Sequence, residues 1–164
     1  MLSACFPTLT AALDWRSSRS IAIKTTPRHL MLILERVDRW QEWDEGLIQA
    51  SLDDPAAGLV PGATGLLNLK QRGEFVFTVD QVDPERGYFS YVTVLKGATA
   101  TWFWDFTGRA EVDGTKGIVL DTGVEFSGWA AGLYKWWIGG EANNEFQNVC
   151  DNLKRIAEQE EAEK

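Results

Sequence analysis

Alternating apolar and polar positions dominate the middle of the chain. Phe75, Phe77 and Val79 alternate with their neighbours. So do Phe89, Tyr91 and Thr93, then Trp102, Trp104 and Phe106, then Leu120, Thr122, Val124 and Phe126. A period of two marks a strand with one buried face. The pattern predicts strands over Leu66–Arg72, Phe75–Val82, Tyr88–Lys96, Thr99–Val112 and Gly117–Phe126. Breakers stand between them at Gly73, Asp83–Gly87, Gly97 and Asp113-Gly114. Connections this short are hairpins, so the sheet is expected to be antiparallel, with one strongly aromatic face.

The flanks read differently. Ile21 and Ile23 alternate within a strand-like stretch over Leu13–Thr25. Pro27 then suits the first turn of a helix capped by Thr25 or Thr26, running over Arg28–Arg36. Trp40 and Trp43, three apart, form one face of a short helical turn and are expected to plug one end of the domain. Residues 51–64 carry several Asp, Pro and Gly and read as a loop or edge strand. Gly128–Ile138 reads as a penultimate helix, broken at Gly139-Gly140. A last helix follows over Glu141–Gln159, with Ala142, Phe146, Val149, Leu153 and Ile156 at helical spacing. Strand, helix, strands and a long helix in that order give an α+β class. The expected organisation is an N-terminal extension over 1–17, one domain over 18–159 and a charged, fraying end over 160–164.

Composition narrows the chemistry. The 164 residues suit one domain with its own core, and no run of 18 apolar residues exists. The formal net charge of −8 is the reverse of a nucleic-acid binder's basic footprint. It also predicts repulsion from anionic membranes, and no membrane insertion is expected. Two cysteines, Cys5 and Cys150, suggest no disulfide framework, so a cytoplasmic setting is expected. Leu2-Ser3-Ala4-Cys5 looks like a lipoprotein box but lacks the upstream regions of a signal peptide. Cys150 reads as a buried small hydrophobe. A single histidine, His29, excludes two-histidine zinc sites, and no phosphate-binding glycine loop is present. No metal or nucleotide cofactor is therefore expected. His29 itself reads as a partly exposed helix residue. Eight Trp, eight Phe and three Tyr read either as a heavily aromatic core or as an aromatic-lined cavity for an apolar ligand, and composition alone does not separate the two.

One stretch resembles a known family. Thr26-Pro27-Arg28-His29-Leu30-Met31-Leu32-Ile33-Leu34, then Val37-Asp38-Arg39-Trp40-Gln41-Glu42-Trp43, is similar to the opening of SRPBCC proteins. That superfamily includes polyketide cyclases and dehydrases and START-like lipid carriers. The resemblance continues through Pro61-Gly62, Phe77-Thr78-Val79, Val82 to Arg86, Asp113 to Lys116, Phe126-Ser127-Gly128 and the final helix. It covers about residues 18–158. Gln41 stands where a proline is usual, and Arg36 where an aspartate is common. The resemblance implies a helix-grip fold, a curved antiparallel sheet wrapped around a long C-terminal helix with an internal cavity.

The partner expected is a small hydrophobic ligand. By strand parity, Phe77, Phe89, Tyr91, Thr93, Trp102, Trp104 and Thr122 should line the cavity, with Tyr134 and Trp137 at its mouth or floor. Tyr91 is the candidate catalytic group, because a phenol donates a proton while its ring packs on apolar walls. Asp105 and Glu125 fall on the outer face, where a bulge that reverses parity would make either a buried general base, and Arg72 and Arg109 read as solvated strand ends, with orienting an enolate as their alternative role. Three functions stay open. One is a cyclase or dehydrase acting on a hydrophobic metabolite. The second is a non-catalytic carrier or sensor of a lipid-like ligand, and the third a partner-binding accessory protein. The oligomeric state is left open.

Overall fold

A computed structural model describes residues 14–163, the side chains of 137–143 excepted. Among them the order is β1 (Trp15–Ile23), α1 (Pro27–Leu34), β2 (Leu47–Leu52), β3 (Thr64–Leu69), β4 (Gly73–Asp83), β5 (Tyr88–Leu95), β6 (Ala98–Val112), β7 (Thr115–Ser127) and α2 (Ala131–Ala162). A 3-10 turn over Val37–Glu42 joins α1 to β2. The strands form one antiparallel sheet, ordered β1-β7-β6-β5-β4-β3-β2, curved around α2. This is the helix-grip architecture.

Local chemistry explains the start of α1. Pro27 occupies its first turn, and the Thr26 hydroxyl accepts the His29 backbone N–H at 3.2 Å. That bond satisfies one donor the helix cannot. Leu30, Met31, Ile33 and Leu34 are buried against the core. On α2, Phe146, Val149, Leu153 and Ala157 form the buried stripe facing the sheet.

Four features differ from the sequence reading. β2 lies mostly outside the segment read as loop or edge strand, and it pairs with β3 through a bulge between Leu47 and Gln49. The bulge turns both Leu47 and Ala50 inward. Their spacing of three hides the strand period. Second, Gly139-Gly140 does not divide the end of the chain into two helices, because α2 runs unbroken to Ala162. Two glycines cost a helix about 2 kcal/mol, and buried Ala131 and Phe146 anchor it on either side of them.

Third, β1 already begins at Trp15, whose ring stacks on Phe126 at 4.9 Å and whose indole donates to the Ala131 carbonyl at 2.8 Å. Residues 1–13, with Cys5, lie outside the described residues. Fourth, His29 is buried rather than partly exposed. Its Nδ1 meets the Glu161 carboxylate, its Nε2 lies 3.1 Å from Glu160, and Arg36 donates to Glu160 at 2.8 Å. Burial pushes the Glu160 carboxyl up, but the hydrogen bonds from Arg36 and His29 outweigh it and hold the carboxyl below its ordinary value. The acidic end expected to fray is instead helical through Ala162 and tied to α1.

Candidate functional site

The space between sheet and helix divides into a filled half and an open half. Trp40 fills the first. Its indole donates to the Leu34 carbonyl at 2.8 Å, which fixes the ring beneath the sheet. Around it stand Trp43 at 5.7 Å, Phe77 at 5.6 Å, Phe89 at 5.9 Å and Tyr91 at 5.6 Å, the last stacked at 19°. Gly65 on β3 makes room for the cluster, since a Cβ there would come within 2.5 Å of the Phe77 ring.

The open half is a cavity of about 190 Å³. That is below the 300–1,000 Å³ typical of small-molecule sites, because Trp40 and Trp43 occupy the closed end. Tyr91, Thr93, Trp102, Trp104, Thr122 and Tyr134 line it, as strand parity predicts. Phe77 and Phe89 do not. They share that parity but sit deeper, against Trp40. The side chain of Trp137 lies outside the described residues, and Tyr134 belongs to the opening turns of α2 rather than to a separate helix.

Exposed Glu45, Lys70, Gln71 and Glu145 border the cavity, and further polar groups lie on its buried wall. The Trp102 indole donates to the Thr93 hydroxyl at 3.2 Å, and the Thr122 hydroxyl donates to the Phe103 carbonyl at 2.9 Å. Trp104 leaves its buried indole N–H without a partner among the described residues. Tyr91 is 6% exposed, and no hydrogen bond joins its hydroxyl to another described residue. Burial, and secondly the charge of Asp44, push its phenol well above the ordinary value.

Asp44 was not among the residues expected from sequence, yet it lines the same cavity. It follows Trp43, and its Oδ1 accepts the Gly46 backbone N–H at 2.9 Å. That pattern reads as a turn, so no local signal pointed inward. Burial raises its carboxyl to about 6. The Gly46 N–H opposes the shift, Glu145 adds to it, and Lys70 and Arg72 oppose it. Arg72, read as a solvated strand end, is at the cavity mouth, 3.5 Å from Glu145 of α2.

The other sequence candidates point away. Glu125 is exposed and pairs with Arg16 at 2.8 Å. Asp105 accepts the Thr107 backbone and hydroxyl on the outer face. Arg109 donates to the carbonyls of Phe106, Thr107 and Gly108. Burial pushes the Cys150 thiol up to about 12, which makes it an inert core residue.

Comparison with known proteins gives a consistent picture. A family model described as polyketide cyclase / dehydrase and lipid transport matches residues 14–158. No curated protein matches the chain significantly. Among solved structures, a norcoclaurine synthase point mutant from Thalictrum flavum, in complex with a transition-state analogue, is similar with a TM-score of 0.65 and 7% identity. The match covers 93% of this chain and 99% of that one. The Zhui aromatase/cyclase from a Streptomyces species is similar with a TM-score of 0.68 and 10% identity, covering 89% and 94%. The di-domain ARO/CYC StfQ of the steffimycin biosynthetic pathway gives 0.69 and 12%, covering 92% of this chain and 52% of that one. At these identities the likeness is one of fold.

Proposed function

Because the chain belongs to the polyketide cyclase / dehydrase and lipid transport family of the SRPBCC superfamily, we propose that its cavity holds a small hydrophobic carbonyl compound and performs proton-transfer chemistry on it. The observation that carries this reading is the pair of Asp44 and Tyr91 on one cavity whose walls also hold Trp102, Trp104, Phe126 and Phe146. A carboxyl raised to about 6 is mostly ionised at neutral pH yet basic enough to take a proton. The Tyr91 phenol, kept protonated by its burial, is suited to donate to a carbonyl oxygen.

In this reading Asp44 removes a proton from the carbon next to the carbonyl. Tyr91 stabilises the charge that develops on the oxygen. Trp102, Trp104 and Phe146 hold the apolar body and keep water out. The same carboxyl, once protonated, can return its proton to a leaving hydroxyl, which is what a cyclisation followed by loss of water requires. A cavity of about 190 Å³ favours compounds of one or two rings. Non-catalytic carriage of the ligand would need the apolar walls but not a half-buried, destabilised carboxylate.

Tyr91→Phe tests the assignment, because it keeps the ring and removes only the hydroxyl. Affinity for an aromatic ketone, measured by titration calorimetry, is expected to fall by about 0.5–1.5 kcal/mol, one neutral hydrogen bond. Affinity for the matching hydrocarbon should be unchanged. Equal losses for both ligands would mean that the hydroxyl does not meet the carbonyl.

A further inference from the structure

The start of α2 carries an apolar face that no described element covers. Trp129 is 79% exposed, Leu133 65% and Trp136 84%. Leu133 and Trp136, three apart, share one side of the first turns of α2, and Trp129 stands two residues before the helix begins. The face is firmly seated. Trp129 lies over Gly97 in the β5–β6 turn, where a Cβ would come within 2.4 Å of the indole. Gly97 also has φ +79°, so any larger residue would be strained there as well. The Ala130 N–H donates to the Gly97 carbonyl at 3.0 Å, and the Tyr134 hydroxyl donates to the Lys96 carbonyl at 3.3 Å.

We infer that this face docks on the surface of a lipid bilayer. Two observations favour a bilayer over a protein partner. Indole rings suit the membrane interface, where an apolar body meets a wet polar tip. Charge points the same way. The chain has 24 acidic residues, yet residues 126–140 contain none, and their one charged residue is Lys135. Lys96 stands in the turn beneath Trp129. Anionic headgroups therefore meet two lysines and no carboxylate from these segments, a local attraction set against the repulsion that the whole chain's charge of −8 predicts.

The contact is interfacial. No helix among the described residues is long and apolar enough to cross a membrane. The inference is independent of the chemistry at Asp44.

The test uses the full chain with vesicles of phosphatidylcholine, with and without phosphatidylglycerol. The chain is expected to float with the anionic vesicles, its Trp emission shifting to the blue and being quenched by brominated lipid. The Trp129→Ser/Trp136→Ser double variant should stay in solution, with an unchanged circular dichroism spectrum. Lys135→Glu guards against a folding failure of the double variant, since it alters one exposed side chain. It should weaken binding to anionic vesicles by at least about five-fold. A wild-type chain that stays in solution overturns the inference. If it then self-associates in sedimentation, and the double variant does not, the face joins two copies instead. Flotation undiminished in both variants would also overturn it.

Discussion

Trp40→Ala is expected to cost about 3–5 kcal/mol, the range for emptying a buried aromatic site. Total stability of a domain is only about 5–15 kcal/mol, so this one change removes a large fraction of it. Trp40 is fully buried and stands within ring-contact distance of five other aromatics, Trp43, Phe77, Phe89, Tyr91 and Trp104. Its indole also supplies the hydrogen bond to Leu34. Removing it would join the filled half of the interior to the cavity and leave Tyr91 without its stacking partner. Equilibrium unfolding in urea measures the effect. A midpoint near that of the wild type would mean that the ring is not the packing centre it is taken to be here.

Asp44→Asn is expected to do the opposite to stability while removing function. The carboxyl titrates at about 6 in the folded chain against 3.8 when exposed. Between those values the folded state binds the proton and the unfolded state does not. Stability from this group is therefore complete below about pH 4 and falls as pH rises through 6. Above that range the ionised, half-buried carboxylate costs up to about 3 kcal/mol. Asparagine carries no such charge, so the variant should be the more stable protein at pH 8 by up to that amount and should gain nothing at pH 4. If Asp44 is the base, turnover should fall by about 10²–10⁴-fold. Thermal unfolding at the two pH values checks the stability half. A variant less stable than the wild type at pH 8 would show that Asp44 serves the fold.

The fold was largely legible because its signals are local. Period-two alternation and turn residues locate the hairpins from β3 to β7, and Thr26-Pro27 marks the start of α1. β2 escaped because a bulge destroys its period. The single α2 escaped because two glycines read as a break until packing on either side is known. Parity separates inward from outward residues, and Tyr91, Thr93, Trp102, Trp104 and Thr122 lie on the cavity lining. It cannot give depth. Phe77 and Phe89 share the inward side but are covered by Trp40, which arrives from a different element. His29 and Asp44 were misjudged or missed for the same reason. The partners of His29 come from more than 130 residues away, and Asp44 looks like a turn residue until the 3-10 turn before it packs beneath the sheet.

The central claim is that the space between sheet and α2 is a ligand site. The most direct measurement is binding of a neutral naphthyl dye to the wild type and to Val149→Phe, followed by Trp fluorescence and melting temperature. Val149 projects from α2 into the cavity wall, and a larger ring there fills the space from the helix side. The dye should quench the wild-type tryptophans and raise its melting temperature by linkage. The folded Val149→Phe variant should show neither effect. Undiminished dye binding by that variant would contradict the claim.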